Sequence, residues 1–137
     1  MEIKKNVVFI LNVDLENGKS TPYHYSIKSW KHWCEKNDVL FFELNEFIVD
    51  PKELHINIQK WWALDILDLN LDEDYNQVCV VDADTMIHPD APNFFKETEG
   101  EFCAVNDNGS LEWVLRSING WGNLLFPSQP KVKIWNY

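Results

Sequence analysis

The stretch VCVVDADT, residues 78–85, runs four apolar residues into two carboxylates, Asp82 and Asp84, with only Ala83 between them. Alternate residues of a strand face the same side, so the sequence predicts that Asp82 and Asp84 project together and repel each other unless a cation lies between them. Magnesium and manganese prefer oxygen ligands and often bridge one or two carboxylates to substrate phosphates, so this pair is an expected seat for such an ion. The alternative is structural: Asp82 as a cap or loop carboxylate, and Asp84 in an Asx-turn before Thr85.

The elements that must position the pair follow from the pattern on either side. Residues 6–13 are an apolar β-rich run ending near Asn12 and Asp14, and VLFFEL is expected as a second strand. Between them, Thr21 as N-cap and Pro22 as first helical residue open a helix with Ile27, Trp30 and Cys34 on its apolar side and Asn37 as its stop. In DPKELHINIQKWWALDILDL, Asp50 caps, Pro51 opens and Glu53 completes a capping box, with Ile58, Trp62, Ile66 and Leu69 as the apolar stripe. QVCVVDAD is the third strand, its continuous apolar run that of a strand covered on both faces. Downstream, APNFFKE reads as a short helix, EFCAV as a further strand, and SLEWVLRSI as a helix capped by Ser110 and stopped near Gly120. This alternation predicts an α/β, Rossmann-like open sheet, mostly parallel, with helices on both faces, and such sheets gather ligands at the carboxyl ends of their strands. Asn12, Asp14, Asp82 and Asp84 all fall on that edge.

Composition narrows the partners. The 137 residues, expected to form one domain, carry 12 basic and 22 acidic side chains, a net charge of -10. That balance argues against a nucleic-acid binder, which needs clustered Lys and Arg, so an anionic ligand must be met through a metal or a few local cations. Asp72-Glu73-Asp74 is expected as a solvated acidic loop. The N-terminal run is broken by Asn12 and Asp14 and reads as a strand, and no stretch approaches the ~20 apolar residues of a membrane span; a cytoplasmic location is expected. Of the three cysteines, Cys79 and Cys103 are expected as small buried hydrophobes, without a disulfide framework or zinc site.

VVDADTMIHPDAPNFF resembles the metal-binding segment of GT-A-fold glycosyltransferases, in which a hydrophobic strand ends in D-x-D and passes through a loop into a short aromatic helix. KWWAL is similar to the lysine-bearing helix that precedes that strand in glycogenin-like families, and EFCAVND resembles the next strand. The resemblance implies a metal-dependent glycosyltransferase using manganese or magnesium and a UDP- or GDP-linked sugar donor, with an unidentified acceptor; the glycogenin-like features point towards retention of configuration. By that resemblance Asp82 lies near the ribose and donor sugar and Asp84 coordinates the metal, with shared ligation possible. Ala83 lies between them, and Lys60 reaches the donor sugar or its phosphates. Asn12, Val13 and Asp14 border the nucleotide, and Asp107 faces the sugar hydroxyls. Taken as residues alone, Lys60 is a solvated helix lysine, Trp62 is core, Tyr23 and His24 pack at a helix start, and His55 and His88 are structural or exposed.

Other readings compete. After Asp107 the sole acidic side chain is Glu112, and no histidine follows His88, so the acceptor half of such an enzyme is expected to be short or missing. That leaves a non-catalytic nucleotide-sugar-binding or assembly module as an alternative. Asp82 to Thr85 is also similar to the opening of haloacid-dehalogenase-like phosphatases, but the acidic pair those enzymes need downstream is lacking. The apolar terminal residues Trp121, Leu124, Leu125, Phe126, Ile134, Trp135 and Tyr137 predict self-association, as a homo-oligomer.

Overall fold

The computed structural model describes residues 4–14, 23–72, 74–98 and 101–104, and beyond these residues 112, 115, 116, 119, 120, 123, 127 and 128. The chain divides into two compact units, Met1–Glu101 and Phe102–Tyr137.

The first unit is built on β1 (Lys5–Leu11), whose residues Val7 to Ile10 are wholly removed from solvent. Such a run of β-branched and aromatic side chains is stable only with cover on both faces, and the order β2-β1-β3 pairs both of its edges as well by centring β1 in a three-stranded sheet. Both pairings are parallel. Leu11 lies level with Leu44 at the end of β2 (Leu40–Leu44) and with Asp82 at the end of β3 (Tyr75–Asp82). The α/β open parallel sheet expected from the sequence is therefore present.

Alternation along β1 divides the core. Val8 and Ile10 pack under α1 (Tyr23–Asn37) with Ile27, Trp30, Trp33, Cys34 and Phe95. Val7, Phe9, Leu11 and Val13 face the other way, against Ala63 and Leu67 of α3 (Ala63–Asn70). Truncating a residue as deep as Phe9 to alanine would cost about 3–5 kcal/mol. At the end of α1, Asp38 takes a left-handed φ of 55°. The Val39 N–H then bonds the Cys34 carbonyl at 2.9 Å and the Asp38 N–H the Glu35 carbonyl at 3.4 Å, a Schellman closure. Asn37 thus ends α1 as expected, while Thr21 and Pro22 lie outside the described residues.

The second helical segment departs from its sequence signature. Asp50 accepts from the Lys52 N–H at 2.8 Å, and its carbonyl accepts from Glu53 and Leu54, so residues 50–54 form a turn and not a first helical turn. The helix α2 (Ile56–Gln59) starts later, capped by His55, whose Nδ1 accepts from the Asn57 N–H at 3.2 Å. A 3₁₀ turn, Lys60–Trp62, joins it to α3. The inward face is Gln59, Ala63 and Leu67, leaving Trp62 38% exposed and Leu69 82% exposed. Of the expected stripe Ile58, Trp62, Ile66 and Leu69, Ile66 packs against the core and Ile58 is half-buried, while Trp62 and Leu69 are out of phase because a buried glutamine and a small alanine mark the true face. Gln59 is tied by four hydrogen bonds: its Oε1 accepts from the N–H groups of Ile48 and Val49, and its Nε2 donates to the carbonyls of Val49 and Leu54. One side chain thereby holds the loop that a long helix would have replaced.

APNFFKE forms a short 3₁₀ helix at Phe94–Lys96, capped by Asn93. EFCAV is corrected: residues 102–104 carry no strand and are exposed, Phe102 at 93% and Cys103 with it. An apolar β-rich pattern becomes a strand only where a neighbour accepts its backbone bonds, and none of the described residues does so here. In the second unit residues 112, 115, 116, 119, 120 and 123 are helical, in keeping with the helix expected there, and the residues that would fix its end near Gly120 lie outside the described ones. The predicted cap Ser110 and the seven apolar residues singled out for self-association lie outside the described residues. Among the described residues no helix is long and apolar enough to cross a membrane.

Candidate functional site

The level ends of β2, β1 and β3 define the carboxyl edge of the sheet, where ligands of open α/β sheets gather. A cleft of about 190 Å³ opens there, lined by Leu11 and Val13 of the β1 end, Tyr23, Ile56, Asn57, Lys60, and the run Val81 to Asp84. Asp82 and Asp84 therefore share one cleft, but not through strand alternation. The strand ends at Asp82, and Ala83-Asp84 is a turn closed by the Thr85 N–H on the Asp82 carbonyl at 3.1 Å and by Thr85 Oγ1 on the same oxygen at 2.6 Å.

The positive charge beside the aspartates comes from the chain itself. The Lys60 ammonium forms an ion pair with Asp82 Oδ1. Lys60 is not a solvated helix lysine: its side chain is 20% exposed against 54% for Asp82, and its Nζ lies 5.8 Å from the centre of the Trp61 ring. With one partner half exposed, the pair stabilises the fold by at most about 1 kcal/mol. Its importance is positional, since it brings the end of α2 to the end of β3. Asp84 makes no ion pair among the described residues.

Helix α1 fixes the turn from the other side. The Trp30 Nε1–H donates to the Thr85 carbonyl at 3.1 Å, and Ser26 Oγ donates to the same oxygen. Ser29 Oγ accepts from the Ile87 N–H at 3.2 Å, Trp33 Nε1–H donates to the Ala91 carbonyl at 2.9 Å, and Lys36 reaches the Pro89 carbonyl and Asp90. A buried indole needs a partner for its N–H, and here the partners are the loop carbonyls after Asp84. The sequence marked Trp30 as core but not as a donor; the serines interleaved on a buried helix face were the available signal.

Asn12 and Asp14 point elsewhere than Val13. They line a second cleft, about 490 Å³, with His24, Lys28, Lys31, Glu43 and Asn45. Glu43, largely buried, accepts from Asn12 Nδ2 at 2.8 Å and pairs with Lys31 at 3.0 Å; with the Asn45 carboxamide assigned so that its NH2 faces Glu43, it also accepts from Asn45 at 3.0 Å. The period of two along the chain leaving β1 thus divides the expected nucleotide-bordering residues between two clefts. Tyr23 lines the first and His24 the second. Glu43, Lys28 and Lys31 were missed because a charged residue at a strand end or on a helix carries no local mark of what it faces. Asp107 lies outside the described residues. His88 accepts the Asp90 N–H at 3.1 Å on Nδ1, a turn role like that of His55.

Among the described residues no group of three or more His, Cys, Asp or Glu is arranged to hold a metal. Asp82 and Asp84 offer hard oxygen donors, so an ion seated on them would complete its shell from water or ligand oxygens, which is how magnesium is usually held. No family model, no curated protein and no solved structure matches the chain.

Proposed function

We propose that the chain binds a nucleoside-diphosphate sugar with a divalent cation at the carboxyl edge of its sheet and transfers the sugar to an acceptor hydroxyl. The observation that carries this reading is the convergence of Asp82, Asp84 and Lys60 in one cleft at the carboxyl ends of the adjacent parallel strands β1 and β3. Two carboxylates with a lysine suit a metal-complexed diphosphate better than a neutral ligand, and in a chain of net charge -10 they concentrate the cations a diphosphate requires. Bound there, magnesium or manganese would offset the charge that develops on the departing nucleoside diphosphate.

The chain's own residues supply the rest. Asp84 and Asp82 hold the metal through carboxylate oxygen. Lys60 donates to the diphosphate or the donor sugar. Leu11 and Val13 give the cleft an apolar floor that excludes water from the leaving group. The larger cleft, with Asn12 and Asp14 on its wall, takes the nucleoside. Binding without transfer is the second reading, favoured by the size of the aspartate cleft, about 190 Å³ against the roughly 300–1,000 Å³ usual for small-molecule sites.

Calorimetric titration of UDP and GDP, with and without manganese, into wild type and Asp84→Ala tests the proposal. Binding that needs both metal and Asp84 supports it, and turnover of the matching sugar donor separates transfer from binding alone. Equal binding by Asp84→Ala, or none by wild type, rejects it.

A further inference from the structure

We infer that Lys60 is a resident counter-ion that reserves the Asp82–Asp84 seat for a metal arriving with a diphosphate; the inference rests on the reading of this cleft as a metal–nucleotide site. The Lys60 ammonium is in contact with Asp82 Oδ1, while Asp84, in the same cleft, makes no ion pair among the described residues. Lys60 is held in place: it sits in the 3₁₀ turn between α2 and α3, its side chain mostly covered and its Nζ near the Trp61 ring.

A divalent ion approaching Asp82 meets an ammonium already on that carboxylate. It must displace the lysine or share the oxygens with it, and either lowers the affinity for bare metal. A diphosphate reverses the balance, because its oxygens are charged acceptors to which Lys60 can transfer its hydrogen bond. Lys60 then contributes to anion binding, and Asp82 is released to the metal. Metal and diphosphate therefore bind with positive coupling, and by linkage each raises the affinity for the other by the same factor.

The test is titration of the full chain with Mn²⁺, free ion being followed by its paramagnetic resonance, alone and with saturating UDP or GDP. Wild type should bind Mn²⁺ at least about tenfold more tightly with the nucleotide, and Lys60→Met should bind Mn²⁺ alone about tenfold more tightly than wild type while losing most of the nucleotide's effect. Lys60→Gln, a second neutral variant, should behave as Lys60→Met does, and Lys60→Arg should keep the wild-type pattern. Lys36→Met, which removes a lysine paired with Asp90, should change neither. If Lys60→Met and Lys60→Gln bind bare Mn²⁺ no more tightly than wild type while Asp84→Asn abolishes binding, the counter-ion role is overturned and the metal site stands. If Asp84→Asn binds metal and nucleotide as wild type does, the reading of the site fails and the inference with it.

Discussion

The Trp30 indole donates its N–H to the Thr85 carbonyl at 3.1 Å, fastening the buried face of α1 to the turn that carries Asp84. The bond joins residues 55 positions apart. It makes the placement of a candidate metal ligand depend on a helix that lies on one face of the sheet.

Trp30→Phe keeps most of the apolar packing and removes the donor. It should lower stability by about 1 kcal/mol, since Ser26 still serves the same carbonyl, whereas combining it with Ser26→Ala should cost about 2–3 kcal/mol. Urea unfolding reads both, and additive losses would show that the two donors act independently.

Gln59 is a fully buried side chain holding four backbone groups of the 48–54 loop. Gln59→Leu has nearly the same volume but satisfies none of them, and should destabilise by about 2–4 kcal/mol. Loss below 1 kcal/mol in the same unfolding assay would mean that water replaces the carboxamide.

The thiols should divide by environment. Burial, with smaller contributions from Cys79 and Glu35, pushes Cys34 up to about 12, and burial pushes Cys79 up to about 11. A thiol whose folded value is raised stabilises fully below its ordinary value of 9.0, and that stability is lost as pH climbs through 9.0 towards the folded value. Stability should therefore fall between pH 9 and 11. At pH 8 a disulfide reagent should label Cys103, which is exposed, and spare Cys34 and Cys79 until denaturant is added.

On the acid side, hydrogen bonds from Lys4 and Lys36 hold Asp74 and Asp90 below the ordinary 3.8. Their contribution is present above 3.8 and disappears as pH falls through the lowered values. Both aspartates are fully exposed, so added salt should return their NMR titration midpoints towards 3.8.

The parts of this fold written in local sequence were legible. The apolar run of β1, the α1 periodicity and the third strand each depend on near neighbours, and the sheet edge followed from them, although β3 stops at Asp82 and leaves Asp84 in a turn. What escaped was decided at long range. Asp50 and Pro51 are a sound helix start, yet Gln59 captures the following loop and moves the start to Ile56. Trp62 outweighs Ala63 on any hydrophobic scale, but the smaller residue fits against the sheet. Lys60 and Asp82 meet across 22 residues, and only the resemblance, not the pattern, suggested that Lys60 faces a ligand. The split of Asn12 and Asp14 from Val13 follows from the alternation of β1 carried on by the chain that leaves it, and could have been drawn from the sequence.

The most direct test of the metal–diphosphate site is paramagnetic broadening of backbone amide signals by substoichiometric Mn²⁺ in the presence of UDP or GDP. The signals of Leu11, Val13, Val81, Ala83 and Asp84 should be lost first, with Asn37 and Val39 at the end of α1 spared. Broadening centred on exposed Asp72 and Asp74, with the 81–84 signals intact, would contradict it.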